Sequence, residues 1–304
     1  MASHPSAAAS GAATERTLGL LCAVLGALGF SFKAILVKAA YRYPVDAETL
    51  LCLRMGYALP LLALMAWQLE RRDPRALSAR DWSELLLLGV LGYYLASYLD
   101  FLGLRYISAA LERIVLFVYP TLVVMLSALF LHKALTWRTA LLLLFSYAGV
   151  AIAVAPEVRL AGHNTLLGVA LVLLSALSFA IYLMRSGQIV LRLRATRVTA
   201  YATGIACVLC MLQFVAMRPV RSLEQPWQVH ALAGAMAVFS TVVPIWLVTE
   251  AIRRLGAPTA AMFGALGPIF TIVLAWALLH EPISAAQLAG AVIVILAVTR
   301  MTRS

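Results

Sequence analysis

Residues 18–38 read LGLLCAVLGALGFSFKAILVK, and residues 165–185 read TLLGVALVLLSALSFAIYLMR. Each stretch is almost unbroken in apolar character and about 20 residues long, the length a helix needs to cross a bilayer. The two also match each other. Leu18-Gly19 falls on Leu167-Gly168, and Leu25-Gly26-Ala27-Leu28-Gly29-Phe30 falls on Leu174-Ser175-Ala176-Leu177-Ser178-Phe179. Further along, at nearly the same offset, Arg105-Tyr106-Ile107 falls on Arg253-Arg254-Leu255, Pro120 on Pro268, and Leu131-His132-Lys133 on Leu279-His280-Glu281. A near-constant offset at both ends of a unit marks an internal repeat.

The rest of the chain has the same character. Of its 304 residues 63% are hydrophobic and 12% are charged, with a mean hydropathy of +0.93. Ordinary soluble domains are about 45–50% apolar and carry about twice this share of charge, so the apolar excess here must face lipid. The net charge of +11 does not indicate nucleic acid, because most Lys and Arg lie in short runs between apolar segments rather than on a solvated basic face. Cys22, Cys52, Cys207 and Cys210 all sit in apolar segments, and the C-x-x-C at Cys207 and Cys210 lacks the polar setting of a redox or zinc site. They read as small packing residues.

Membrane spans are expected at 18–38, 48–69, 83–104, 107–131, 136–155, 165–185, 198–217, 230–250, 257–279 and 284–300. Met1 to Arg16 is Ala/Ser-rich and reads as a disordered tail. Residues 17–156 form the first repeat and 164–301 the second, with five spans in each. The apolar runs lack the alternation of barrel strands, which leaves an all-α integral membrane protein. Connections at one end carry Arg71, Arg72, Arg75, Arg80, Arg138, Arg192, Arg194, Arg197, Arg253 and Arg254, against Lys38, Arg42, Arg105, Arg159, Arg218 and Arg221 at the other. The positive-inside rule then places both termini in the cytoplasm. An odd number of spans per repeat makes the halves inverted, an arrangement in which a substrate binds between them near the midplane.

Gly103-Leu104-Arg105-Tyr106-Ile107-Ser108-Ala109-Ala110 followed by Pro120 and Gly149, and Gly256-Ala257-Pro258-Thr259-Ala260-Ala261 followed by Gly267-Pro268, His280-Glu281-Pro282 and Gly290, resemble the EamA repeat of the drug/metabolite transporter superfamily. The resemblance covers about residues 17–301. It implies ten helices in two inverted five-helix repeats, and outward movement of small metabolites across the inner membrane. The acidic residue that follows the fourth helix of the repeat is present as Glu281 but replaced by Lys133 in the first half.

Charges within apolar spans are costly, about 2.5–3.5 kcal/mol each on insertion scales, and so mark a partner or a wet cavity. Lys33, Arg54, Asp100, Glu112 and Arg113 all fall at similar depth, and all belong to the first repeat; the second has Ala260 and Ala261 opposite Glu112 and Arg113. In one reading they recognise a polar solute, with a carboxylate in the planar fork of Arg54 or Arg113 and Glu112 as a proton carrier. In the other, Glu112 pairs with Lys33 or Arg54 to lock helices. Tyr94 and Tyr98, four residues apart, together with Tyr182 and Trp246, are candidate pocket aromatics, and Pro120 and Pro268 are candidate mid-helix kinks or gates.

The function expected is a secondary transporter exporting small polar solutes, amino-acid-like or anionic, by alternating access. No Walker A pattern and no metal-ligand spacing occurs in the sequence, so no cofactor and no metal are expected. The expected partners are a small-molecule substrate and the bilayer, not nucleic acid, with the chain as a monomer or homodimer. The alternatives are a membrane enzyme acting on lipid-linked substrates, which would need a catalytic constellation that the scattered histidines do not form, and a passive channel or partner subunit.

Overall fold

The computed structural model of the chain describes residues 5–130, 136–161, 163–255 and 263–301. Among them every regular element is helical. Helix α1 spans Pro5–Ala40, α2 Ala47–Arg72, and α3 (Ala79–Leu88) runs through a π-helical turn at Gly89–Leu95 into α4 (Ala96–Gly103). Helices α5 (Ala109–Leu116) and α6 (Tyr119–Phe130) are separated by a break at Phe117 and Val118. Then come α7 (Trp137–Ala161), α8 (His163–Leu193) and α9 (Ala195–Met217). Helix α10 (Trp227–Ala237) passes through a π-helical turn at Val238–Val242 into α11 (Val243–Leu255). Helix α12 (Leu266–Leu274) ends in a π-helical turn at Ala275–Leu279, and α13 spans Ala285–Met301.

Among the described residues eight helical stretches are long and apolar enough to cross a membrane: 15–40, 47–72, 79–103, 109–130, 137–158, 164–186, 196–217 and 227–248. Leu266–Leu279 and Ala285–Arg300 are apolar but shorter. The expected ninth span, 257–279, begins in residues outside those described, as do Lys133, Ala260 and Ala261. Helix α1 begins at Pro5, in a stretch rich in alanine, the residue of highest intrinsic helix propensity. The surface is apolar where a soluble protein would be charged. Leu25, Leu129, Leu144, Leu212, Val215 and Trp276 are all exposed, a belt suited to lipid.

The helices pair in a pattern that survives exchanging the repeats. Helix α1 lies along α11 and α12, and its counterpart α8 lies along α4 and α6. The pairs α2 with α9 and α7 with α13 map onto themselves. Gly103 packs against Val172 and Gly168, so the C-terminal end of α4 meets the N-terminal end of α8. The Lys38 ammonium donates to Leu104 O at 3.2 Å, so α1 ends where α8 begins. The bundle therefore has a Pro44 end, at the turn between α1 and α2, and a Pro74 end, at the turn between α2 and α3.

The matched segments of sequence do matched work. Gly26 and Gly29 of α1 let Val248, Pro244 and the Phe239 carbonyl approach closely. Their counterparts on α8, Ser175 and Ser178, donate to Ala96 O and Leu91 O, both at 2.7 Å. Gly89 and Val238, where the first two π-helical turns begin, stand at the same offset as Leu18 and Leu167. Each first helix thus packs on the π-helical turn of the other repeat. Such turns widen a helix and expose backbone carbonyls, and they recur at functional sites.

Helices α7 and α13 are held together at Gly149 and Gly290, where a Cβ on Gly149 would lie 2.9 Å from the Gly290 carbonyl oxygen and one on Gly290 would collide with the Gly149 carbonyl. Small residues allow this approach in lipid, where no hydrophobic drive brings helices together. Gly290→Leu is expected to lower stability by about 1–3 kcal/mol through overpacking. Gly234→Ala, which meets nothing within 4 Å, should be neutral or stabilising by up to about 1 kcal/mol. Thermal midpoints of the purified variants in detergent check both.

Candidate functional site

Three helices deliver charge to one point inside the bundle. From α1, the Lys33 ammonium lies 2.7 Å from Asp100 Oδ2 of α4 and 3.5 Å from Glu112 Oε1 of α5. Asp100 and Glu112 are buried. Asp100 Oδ2 is thus held by the ammonium, while Asp100 Oδ1 and Glu112 Oε2 have no hydrogen-bond partner among the described residues. Two carboxyl groups thus share one ammonium, and two arginines, Arg54 and Arg113, come from α2 and α5.

Both arginines reach across to the second repeat. Arg54, 5% exposed, donates from Nε to Thr241 Oγ1 at 3.1 Å, inside the second π-helical turn, and its guanidinium lies 5.3 Å from the centre of the Phe101 ring. Its Nη1 is buried without a partner. Arg113 donates to Thr271 Oγ1 of α12 at 3.2 Å and to Phe30 O of α1 at 2.5 Å. The expected pairing of Lys33 with Glu112 is present; no Glu112–Arg54 ion pair is seen, since Arg54 binds a hydroxyl instead. Thr241 and Thr271 were not picked out in the sequence, where a threonine in an apolar helix carries no distinctive signal.

The remaining candidates separate. Tyr182 joins a stack of rings: Phe117 edge-on to Tyr119, Tyr119 edge-on to Phe179, Phe179 stacked on Tyr182 at 5.5 Å, and Tyr182 against Tyr93, whose hydroxyl is 3.2 Å from its own. Tyr98 donates to Glu48 Oε1 at 3.0 Å, where Arg218 also reaches Glu48 at 3.3 Å, so it belongs to the contact between α2 and α9. Tyr94 stands in the first π-helical turn and, like Tyr98, packs on the main core. Trp246 is exposed on α11. Pro120 lies within the span 109–130, two residues past the break at Phe117 and Val118, and Pro268 lies three residues past the 3-10 turn at Phe263–Ala265; a proline leaves the carbonyl four residues before it without its helical N–H partner.

Both ends are tied by polar groups. At the Pro74 end Arg197, fully buried, donates to Glu70 at 2.9 Å and to Asp73 O at 2.5 Å, and Arg192 pairs with Asp81 at 2.8 Å and with Glu84. At the Pro44 end a cavity of about 630 Å³ is lined by Lys38, Tyr41, Asp46, Arg105 and Glu281, among others. Glu281 accepts from the Ala109 amide at 3.1 Å, and burial pushes its carboxyl above the usual carboxylate range against the opposing pull of that amide and of Lys38. Among the described residues no group of three or more His, Cys, Asp or Glu is placed to hold a metal.

Two outcomes follow from this geometry. Lys33→Met leaves Asp100 and Glu112 buried without their cation and should cost about 3–5 kcal/mol. Adding Asp100→Asn should restore part of that, and a double-mutant cycle on thermal midpoints measures the coupling. For Glu281 the folded-state pKa is raised, so the folded chain holds the proton more tightly than the unfolded chain. The stability it contributes is present below the ordinary carboxylate range and lost as pH rises through the raised value. Glu281→Gln should therefore flatten the decline of the thermal midpoint as pH rises above the ordinary carboxylate range of about 4. An unchanged slope would assign that decline to other groups.

The chain shares its sequence pattern with known proteins. It is 28% identical over 281 residues, 91% of this chain and 90% of the relative, to YcbK of Bacillus subtilis (strain 168), named an uncharacterized transporter. It is 25% identical over 243 residues, 76% of this chain and 68% of the relative, to the S-adenosylmethionine/S-adenosylhomocysteine transporter of Chlamydia trachomatis serovar L2. A solved crystal structure of a protein matches the fold with a TM-score of 0.61 at 16% identity, covering 95% of each chain. The model of the EamA-like transporter family matches twice, at residues 17–155 and 166–303. With two family repeats filling nearly its whole length, the chain belongs to the EamA-like transporter family.

Proposed function

We propose that the chain is a secondary transporter that moves a small zwitterionic solute, amino-acid-like at one end, outward across the cytoplasmic membrane. In this reading ten helices form two inverted repeats, both termini lie in the cytoplasm, and the chain works by alternating access as a monomer or homodimer. The observation that carries the reading is the set of buried polar atoms left without a partner: Arg54 Nη1 as donor, and Asp100 Oδ1 and Glu112 Oε2 as acceptors. Buried polar groups are rarely left unpaired unless something else binds there. A donor and acceptors together suit a carboxylate and an ammonium on one molecule. The exchange-symmetric helix pairing supports two states related by swapping the roles of the repeats. The relative named as an S-adenosylmethionine/S-adenosylhomocysteine transporter supports the same class, since both solutes end in an α-amino acid. Glu112, buried beside Lys33, is the candidate proton carrier.

The test is thermal stability of the purified protein against amino acids, S-adenosylmethionine, organic acids, purines and cationic drugs. A zwitterionic ligand at a hundredfold excess over its dissociation constant should stabilise by about 2.7 kcal/mol. The shift should vanish in Arg54→Gln. Uptake by proteoliposomes of the ligand so found should lose its pH dependence in Glu112→Gln. Stabilisation by uncharged or purely cationic solutes alone, indifferent to Arg54, would overturn the assignment.

A further inference from the structure

Glu112 and Arg113 are the fourth and fifth residues of α5, a helix of eight residues cut off from α6 by the break at Phe117 and Val118. So short a helix is marginal on its own, and its place depends on what grips its ends. The first turn of a helix has amides without intrahelical partners and the positive end of the dipole. Here that turn is held by groups from distant parts of the chain. Ser108 caps Leu111 N at 3.1 Å. Glu157, near the end of α7, accepts from Ser108 N at 3.1 Å and from its hydroxyl, and is itself held by Gln287 Nε2 of α13 at 2.8 Å. Glu281, from the second repeat, accepts from Ala109 N with both oxygens, at 3.2 and 3.1 Å. Lys38 anchors the preceding turn through Leu104 O and Ile107 O at 3.2 and 3.1 Å.

The backbone around Glu281 is shaped for this reach. His280 ends the preceding π-helical turn in the left-handed region at φ 56°, and Glu281 N donates back to Ala275 O at 3.2 Å. A non-glycine residue in that region is held there by its surroundings. Glu281 also lines the cavity at the Pro44 end, so the tether lies beside the opening through which a solute would pass.

We propose that Glu281 is a positioning residue: from the second repeat it fixes the N-terminus of α5, and with it Glu112 and Arg113 of the first repeat. Any movement that opens the bundle at the Pro44 end between the repeats breaks this tether and shifts both site residues together. The inference rests on the transport reading for its consequence, but not for its geometry.

Hydrogen–deuterium exchange of the full chain in lipid nanodiscs tests it. Glu281→Gln should speed exchange over residues 104–113 by about tenfold or more, through the loss of a carboxyl oxygen that accepts from Ala109 N, with peptides from α7 and α13 unchanged. Glu281→Asp, with the charge kept and the reach shortened, should fall between, and it carries the same comparison should Glu281→Gln not fold. No change at 104–113 overturns the proposal. So does a parallel rise everywhere with a lower thermal midpoint, which marks a general structural role. Exchange needs no ligand, so a loosened α5 with no ligand found in the stability screen keeps the tether and removes the transport site. A ligand bound equally well by wild type and Glu281→Gln, despite the loosening, overturns the link to Glu112 and Arg113.

Discussion

The ammonium of Lys33 lies between the buried carboxyls of Asp100 and Glu112 and so joins α1, α4 and α5 at one point. In an apolar bundle an unpaired charge costs far more than a missing packing contact. These three helices therefore have one acceptable arrangement, with the cation between the two anions. The arginines extend the constraint. Arg54 and Arg113 stand on α2 and α5, and each ends on a threonine of the second repeat. The charge group thus ties together the repeats as well as the helices around it.

Packing follows a different rule. The helices approach at small residues: Gly26 and Gly29 on α1, Gly103 against Gly168, and Gly149 against Gly290. In lipid these contacts depend on van der Waals fit, so removing a side chain from the crossing point matters more than burying a larger one. Where glycine is replaced in the second repeat, at Ser175 and Ser178, a hydroxyl hydrogen bond to a carbonyl of the opposing helix takes over the same crossing. The two repeats keep one architecture while their contacts diverge.

Charge has diverged further than packing. The central ions come from the first repeat, and the second supplies hydroxyls and a carboxylate that hold them in place. Glu281 shows the division plainly. It stands at the repeat position that Lys133 occupies in the first half, and its contacts go to α5 of that half. A scaffold close to symmetric in its helix pairing therefore carries a site that is asymmetric in its chemistry.

The sequence by itself determined the membrane class, the repeat, and the depth at which charge would gather. Each depends on a local pattern or on counting along the chain: apolar runs of spanning length, a constant offset, and the distance of Lys33, Asp100 and Glu112 from their helix ends. It also pointed to Lys33 with Glu112 as one possible pair. Only the tertiary structure decided which atoms meet. The partners of Arg54 and Arg113 are threonines on other helices, and the tether of α5 comes from Glu157 and Glu281, 49 and 172 residues away from the atoms they hold. Tyr98 shares the i, i+4 spacing expected of a pocket face, and its hydroxyl is bound by Glu48 of α2, a partner that the spacing does not name. The break at Phe117 and Val118 falls just before Pro120, which lacks the N–H that would continue the helix; the residues that α5 then meets are set by the packed bundle. Depth is a one-dimensional property and can be read along the chain, whereas pairing depends on helix rotation and crossing, which the packed bundle alone sets.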